Sequence, residues 1–292
     1  MSPVIAQATH KKGSPNSMAK QARYYQDKIA VVTGAGSGIG RAIAQRLATH
    51  GARVHCADID GEAAQSVAAG LSNAQAYTLD VADSDAVAAF AAEIYASDGR
   101  VDLLFNNAGI GHAGLIADSE LDDWRRQLDI NVMGVVHGLH AFLPRMQAQP
   151  GTSHIINTAS AAGLIALPRM APYCAAKHAV VGLSQSLAAE LHDSPIGVTI
   201  LCPGTINTAI VERTQMRGNA LKNQARAVSH YARKGASPDQ VAEDVLHDVR
   251  KGRLFCVTPR SEVGLGWLAQ RISPAFTHRL LRHRIRALLG AP

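Results

Sequence analysis

Tyr173 and Lys177 stand four residues apart in a stretch that reads as helix, so their side chains share one face. A free phenol ionises near pH ~10 and is a poor base at neutral pH. A neighbouring ammonium favours the phenolate and should bring that pKa down. Tyr173 would then take a proton from an alcohol, or return one to a carbonyl oxygen. Ser160 follows a strand-like run, 154–158, that should end beside this helix. Its hydroxyl would donate to the same oxygen and hold charge developing there. Singly, each residue is ordinary: a Tyr or Lys on a helix is usually a packed edge, and a Ser after a strand is usually a cap.

A second constellation is the run Thr33-Gly34-Ala35-Gly36-Ser37-Gly38-Ile39-Gly40. It joins an apolar strand, 29–33, to a helical pattern. Glycines let a chain turn sharply and bring backbone N–H groups close to a pyrophosphate, and the following helix N-terminus favours negative charge. Its place at the first strand-to-helix junction gives the motif its weight. Asp58 ends the second strand, where a carboxylate accepts bonds from the ribose hydroxyls of NAD and repels the 2′-phosphate of NADP. No Lys or Arg occurs among residues 34–38, and Ile59 follows Asp58, so NAD is favoured over NADP. Asp80 and Val81 end the third strand, where an adenine could rest. On spacing alone, Asp80 reads equally well as a helix-entry acid.

The elements that must position these groups alternate steadily. Strand-like runs at 29–33, 53–57, 76–79, 101–105, 154–158, 197–201 and 254–257 are separated by helical patterns at 39–50, 61–71, 84–97, 119–147, 172–192 and 237–250. Short strands alternating with longer helices predict right-handed βαβ units. The fold class is therefore α/β, a doubly wound parallel sheet of Rossmann type in a single domain. Ser119 with Asp122, and Ser237 with Gln240, read as capping boxes.

Thr33-Gly34-x-x-x-Gly38-Ile39-Gly40, Asn106-Asn107-Ala108-Gly109, Asn131, Ser160, Tyr173-x-x-x-Lys177 and Pro203-Gly204 occur in one order at one set of spacings. Together they resemble the short-chain dehydrogenase/reductase family over residues 28–257. The resemblance implies a hydride transfer between NAD(H) and a secondary alcohol or ketone. It implies that Asn131 holds a water linking Lys177 to solvent, and that Lys177 also bonds the nicotinamide ribose. Asn107, Ala108 and Gly109 would close the cofactor pocket. Pro203 and Gly204 would end the strand beside the nicotinamide, Thr208 would contact its carboxamide, and Thr205 and Ile206 would touch the cofactor through backbone. A homodimer or homotetramer built on helices 119–147 and 172–192 is implied as well. Two rival readings share these residues: an NADPH-dependent 3-ketoacyl reductase, which Asp58 disfavours, and a non-catalytic dinucleotide-binding regulator, which has no need of Ser160, Tyr173 and Lys177.

Whole-chain properties exclude more than they select. The chain has 292 residues, 47% of them hydrophobic and 4% aromatic, which suits buried strands under Ala-rich helices. The net charge is +6, but no basic run is interleaved with aromatics, so no nucleic-acid partner is expected. Cys56, Cys174, Cys202 and Cys256 are scattered, without zinc spacing, and read as buried reduced thiols of a cytoplasmic protein; no metal is expected. Cys174, next to Tyr173, reads as packing. The substrate side is thinner. Residues 161–170 are largely apolar, which suits a substrate with a hydrophobic body. Arg213, Arg217, Lys222, Arg226, Arg233 and Lys234 face only Glu212 in 210–234, and a solvated helix face is favoured over a basic lid for anionic substrates. Residues 1–26 are expected to be a disordered or appended leader, 27–258 the catalytic domain, and 259–292 an extension. That extension should carry a basic amphipathic helix from Ser273, with Leu281, Ile285, Leu288 and Leu289 as its stripe. It is expected to pack on protein rather than on an anionic membrane surface.

Overall fold

The computed structural model describes residues 15–277 and 279. Seven short apolar runs form one sheet: β1 Ile29–Thr33, β2 Arg53–Asp58, β3 Ala74–Thr78, β4 Leu103–Asn106, β5 Ser153–Thr158, β6 Ile196–Pro203 and β7 Phe255–Thr258. They stand in the order β3-β2-β1-β4-β5-β6-β7, and every neighbouring pair is parallel. The chain builds outward from β1 to β3, then returns to β4 on the other side of β1. That reversal opens a crevice at the carboxyl ends of β1 and β4, the usual ligand position in such sheets.

The helices are α1 Pro15–Tyr25, α2 Gly38–Thr49, α3 Gly61–Ala69, α4 Ser84–Asp98, α5 Leu121–Leu128, α6 Gly134–Ala148, α7 Ala171–Glu190, the short α8 Ile210–Arg213 and α9 Asn219–Lys222, α10 Gln224–Lys234, α11 Pro238–Arg250 and α12 Arg260–Ile272. Strand residues alternate between two helical layers, as the pleat requires. Val32, Cys56 and Phe105 join Ile43 and Leu47 of α2 and Val241 and Val245 of α11. Val31, Leu104 and Ile155 point the other way, onto Ile94 of α4, Phe142 of α6 and Leu187 of α7. Each fully buried side chain of this size contributes about 1.5–3 kcal/mol, so the two clusters hold the sheet between its helical layers.

Four expectations need correction. The leader expected over 1–26 is folded from Pro15 on: α1 packs on α11, Tyr25 is fully buried, and its hydroxyl donates to the Leu246 carbonyl at 2.6 Å. The helix expected over 119–147 is continuous over 121–148 but not α-helical throughout, because a π-helical turn, Asp129–Met133, lies between α5 and α6. The capping box belongs to Glu120 and Asp123, not to Ser119 and Asp122. Ser119 instead donates to the Leu115 carbonyl at 2.9 Å and meets His112 Nε2 at 3.0 Å. Lastly, α12 forms where only unassigned extension was expected. Ser273 follows it, and its hydroxyl accepts from the Phe276 N–H at 3.3 Å at the start of a further helical segment. The stripe at Leu281, Ile285, Leu288 and Leu289 lies outside the described residues.

Candidate active site

The crevice is knitted shut by Thr33. Its hydroxyl accepts from the backbone N–H groups of Asn107 and Ala108 at 2.9 and 3.0 Å, and Asn107 Nδ2 donates to the Thr33 carbonyl at 2.9 Å. β1 and β4 therefore end as one unit. Gly34 and Gly38 adopt φ of 66° and 54°, where an L side chain is strained. A Cβ on Gly40 would lie 2.1 Å from the Gly34 carbonyl oxygen. Ser37 caps α2 by position, yet its hydroxyl makes no capping bond. The first-turn N–H groups of α2 thus remain available to an anion.

Asp58 is nearly buried at the end of β2, where Oδ2 accepts from Gly36 N at 2.8 Å and Oδ1 from Asp60 N at 3.0 Å. The carboxylate stands against the glycine loop, as its strand-end position predicts. Asp80 is exposed and accepts from Ala82 N at 2.9 Å, which makes it a local turn acid. Val81 is buried, and its carbonyl contacts His137 Nδ1 at 2.9 Å.

Ser160 leaves the end of β5, and Tyr173 and Lys177 lie in the first half of α7. Ser160 Oγ accepts from the Ala162 N–H at 3.1 Å and faces the Tyr173 phenol. Lys177 is buried beside them; its Nζ donates to the Thr158 carbonyl at 2.9 Å and lies 5.8 Å from the Tyr173 ring centroid. Burial pushes the phenol up to about 12, opposed by the nearby Ser160 hydroxyl. Burial brings Lys177 down to about 8. The expected lowering of the phenol by its neighbouring ammonium is therefore not met in the protein alone. Desolvation outweighs the other influences here.

Asn131 sits in the π turn, fully buried. Its Nδ2 donates to the Ile110 carbonyl at 3.0 Å and to Gln127 Oε1 at 2.8 Å, and its Oδ1 accepts from Ile110 N at 3.1 Å. A π turn carries one more residue than an α turn and re-aims side chains, a common device at sites. A Cβ on Gly109 would lie 2.6 Å from Asn131 Oδ1 and 3.3 Å from Lys177 Nζ, so all three crowd together. Cys174 is buried, with Sγ 3.3 Å from the Leu167 N–H, and it packs the loop before α7.

Pro203 closes β6, Gly204 N–H donates to the Thr258 carbonyl at 2.8 Å, and Ile206 bridges to Ala236. Thr208 then comes to lie against Gly38. Thus 203–208 runs from the Ser160 end of the crevice to the glycine loop. A cavity of about 260 Å³ opens there, lined in part by Ser37, Gly38, Arg41, Thr208 and Tyr231.

Sequence reading missed several of these partners. Arg41 lies one turn into α2, just past the loop searched for a cation. Tyr231 comes from α10, which carries no motif. Arg217 is no solvated charge: its guanidinium donates to both oxygens of Asp123 at 2.9 and 3.0 Å and meets Glu120 at 3.1 Å. That grip holds the Asp123 carboxyl below the ordinary range. Beside it, His112–Ala113 and Gln215–Met216 pair as a two-residue parallel ladder. No spacing rule announces such contacts. Arg213, Lys222, Arg226, Arg233 and Lys234 are exposed, as a solvated face requires. No helix among the described residues is long and apolar enough to cross a membrane.

The family described as short chain dehydrogenase matches residues 28–218. The 2,5-dichloro-2,5-cyclohexadiene-1,4-diol dehydrogenase of Sphingobium indicum is 40% identical over 64% of this chain and 75% of its own. The meso-2,3-butanediol dehydrogenase of Serratia marcescens is 36% identical over 75% of this chain and 85% of its own. EphD, a probable oxidoreductase of Mycobacterium tuberculosis, is 36% identical, but the chain spans only 40% of its length. A short chain dehydrogenase/reductase from Burkholderia phymatum, solved in complex with NAD, superposes with a TM-score of 0.78 at 32% identity, over 92% of this chain and 97% of that one. The chain belongs to the short-chain dehydrogenase/reductase family and carries a Rossmann-like sheet.

Proposed function

We propose that the chain moves a hydride between NAD(H) and a secondary alcohol or ketone of apolar character, with Tyr173 as general acid/base. The observation that carries this reading is the convergence of Ser160 and Tyr173 over a buried Lys177, whose Nζ holds the Thr158 carbonyl and lies 5.8 Å from the Tyr173 ring centroid.

The glycine cradle and the uncapped start of α2 fit a dinucleotide: Gly34, Ser37, Gly38, Ile39 and Gly40 would hold its diphosphate, and Asp58 its adenosine ribose. Asp80 and Val81 would border the adenine; Asn107, Ala108 and Gly109 would back the ribose; Pro203, Gly204, Ile206 and Thr208 would line the nicotinamide half. NAD, when bound, supplies the hydride acceptor for oxidation, and NADH the donor for reduction. Ser160 would donate to the substrate oxygen while Tyr173 Oη takes or returns its proton. A phenol near 12 is rarely ionised at pH 7. Positive charge in the loaded site, from Lys177 and the oxidised ring, would lower it toward working range. Asn131, with its amide engaged at both ends, holds residues 109–111 in place beside Lys177. Leu121 and Leu128 of α5, with Met133 of the π turn, are exposed and apolar, which supports a homo-oligomer through this face.

Two relatives act, by name, on diols, so secondary alcohols such as meso-2,3-butanediol head the substrate screen. Tyr173→Phe should lower turnover of the best substrate by roughly 10²–10⁴-fold while leaving NADH affinity intact in a fluorescence titration. Undiminished turnover would remove Tyr173 from its role. Asp58→Ala should relax the preference for NADH over NADPH; unchanged selectivity would refute the part given to Asp58.

A further inference from the structure

We infer that Glu262, on α12 of the C-terminal extension, is a positioning residue for the nicotinamide end of the cofactor site. The inference rests on reading the crevice as a dinucleotide site.

Helix α12 lies beyond the part of the chain that the family match covers, yet it docks on both loops that flank Tyr173. A Cβ on Gly204 would sit 2.8 Å from Val263 Cγ2, and a Cβ on Gly266 would sit 2.9 Å from Ile165 Cδ1. The loop after β5 and the loop after β6 are thus packed by one helix. Between these contacts, Glu262 Oε1 accepts from the Thr205 N–H at 3.1 Å and from the Thr205 hydroxyl in a short contact.

Thr205 is the hinge of the crevice wall. Upstream, Leu201 accepts from Ala159 N at 2.8 Å, next to Ser160. Downstream, Thr205 O accepts from Ala236 N at 3.0 Å, Asn207 N donates to Ala236 O at 2.9 Å, and Thr208 reaches Gly38. Ala236 fixes the carbonyl side of this segment; Glu262 fixes the N–H and the hydroxyl. Without Glu262 those two donors turn free beside the place where the nicotinamide and substrate must meet, while the glycine loop keeps its own bonds to Asp58 and Asn107.

ADP-ribose shares the adenosine and diphosphate of NADH but lacks the ring, so it separates the two ends of the site. In the full chain, calorimetry should show Glu262→Ala weakening NADH about tenfold, the loss expected for removing a charged hydrogen-bond acceptor. ADP-ribose affinity should stay within about twofold. Glu262→Gln keeps an acceptor oxygen and should recover most of the NADH affinity. Thr205→Val, which removes only the hydroxyl, should fall between. Equal losses for NADH and ADP-ribose, or none for either, overturn the inference and leave the cofactor reading standing. Wild-type protein that binds neither ligand overturns both.

Discussion

The two ends of the crevice are built by different rules. At the glycine loop, backbone does the holding: Gly34, Gly38 and Gly40 make the turn, and Thr33 ties it to Asn107 and Ala108. Along the segment that follows β6, side chains reach across the fold: Arg217 grips Asp123, and Glu262 grips Thr205. A backbone cradle tolerates few residue types, because a Cβ in the wrong place collides. A side-chain latch can be made by many pairs at many positions. The first rule suits a ligand shared across a family, the second a substrate that differs between members.

The comparison breaks most severely at Gly40. An alanine there must push its Cβ away from a carbonyl oxygen 2.1 Å off, so the loop has to move. Displacement on the order of 1 Å in a positioning element can cost roughly 100-fold. Gly40→Ala should therefore lose about that much NADH affinity in a titration, and ADP-ribose should suffer equally. Wild-type affinity would show that the loop yields and that the cradle is not rigid.

Arg217→Met tests the other end. It leaves the Asp123 carboxylate, almost wholly buried, without its guanidinium. Because Arg217 is itself partly exposed, water can recover some of the loss, and a lowered melting temperature is expected. Thermal unfolding should report that loss, and pairing the change with Asp123→Asn should recover part of it. NADH affinity should change little. If it fell as far as in Gly40→Ala, the two ends would be one structure rather than two.

Tyr25→Phe sharpens the contrast with a region remote from both. The variant keeps the ring but loses the buried bond to the Leu246 carbonyl, a cost of about 0.5–1.5 kcal/mol. Chemical denaturation should show it, with NADH and substrate kinetics unaltered. Stability unchanged by this substitution would mean that α1 adds little to the fold.

How much was legible follows the same division. The strands of the sheet were legible because the central ones are buried on both faces and read as apolar runs, while the edge strand β3, AQAYT, is only partly buried. Tyr173, Lys177 and Ser160 could be read because helical spacing and a strand end fix them locally. The π turn at Asn131 could not, since one extra residue in a helix leaves no compositional mark. Helix α1 hid behind a polar, Gly-Ser-Pro-containing approach, and its decisive feature, Tyr25 against α11, is a contact with a helix at the far end of the chain. Arg217 looked like one solvated charge among several because its partners lie at the start of α5, and Glu262 carries no sequence signal because Thr205 gives no sign of needing it.

Lys177 sits where the two ends meet, and its titration gives the finest probe. Burial brings it to about 8 from an ordinary 10.5. Between those values the unfolded chain holds a proton that the folded chain has released, so this group's contribution to stability rises with pH. It is complete above 10.5 and is lost as pH falls through 8. Burial raises the buried cysteines Cys56 and Cys202 to about 12, and they act in the opposite sense from about pH 9 upward, so the interval from 8 to 9 is the one to read. Across it, the stability difference between wild type and Lys177→Met should grow by roughly 1 kcal/mol in denaturant titrations. Saturating NADH should then flatten the slope if its nicotinamide ribose accepts a bond from Lys177, because that bond favours the ammonium and raises the pKa. A slope that survives NADH would mean that Lys177 serves the phenol and the Thr158 carbonyl but not the cofactor.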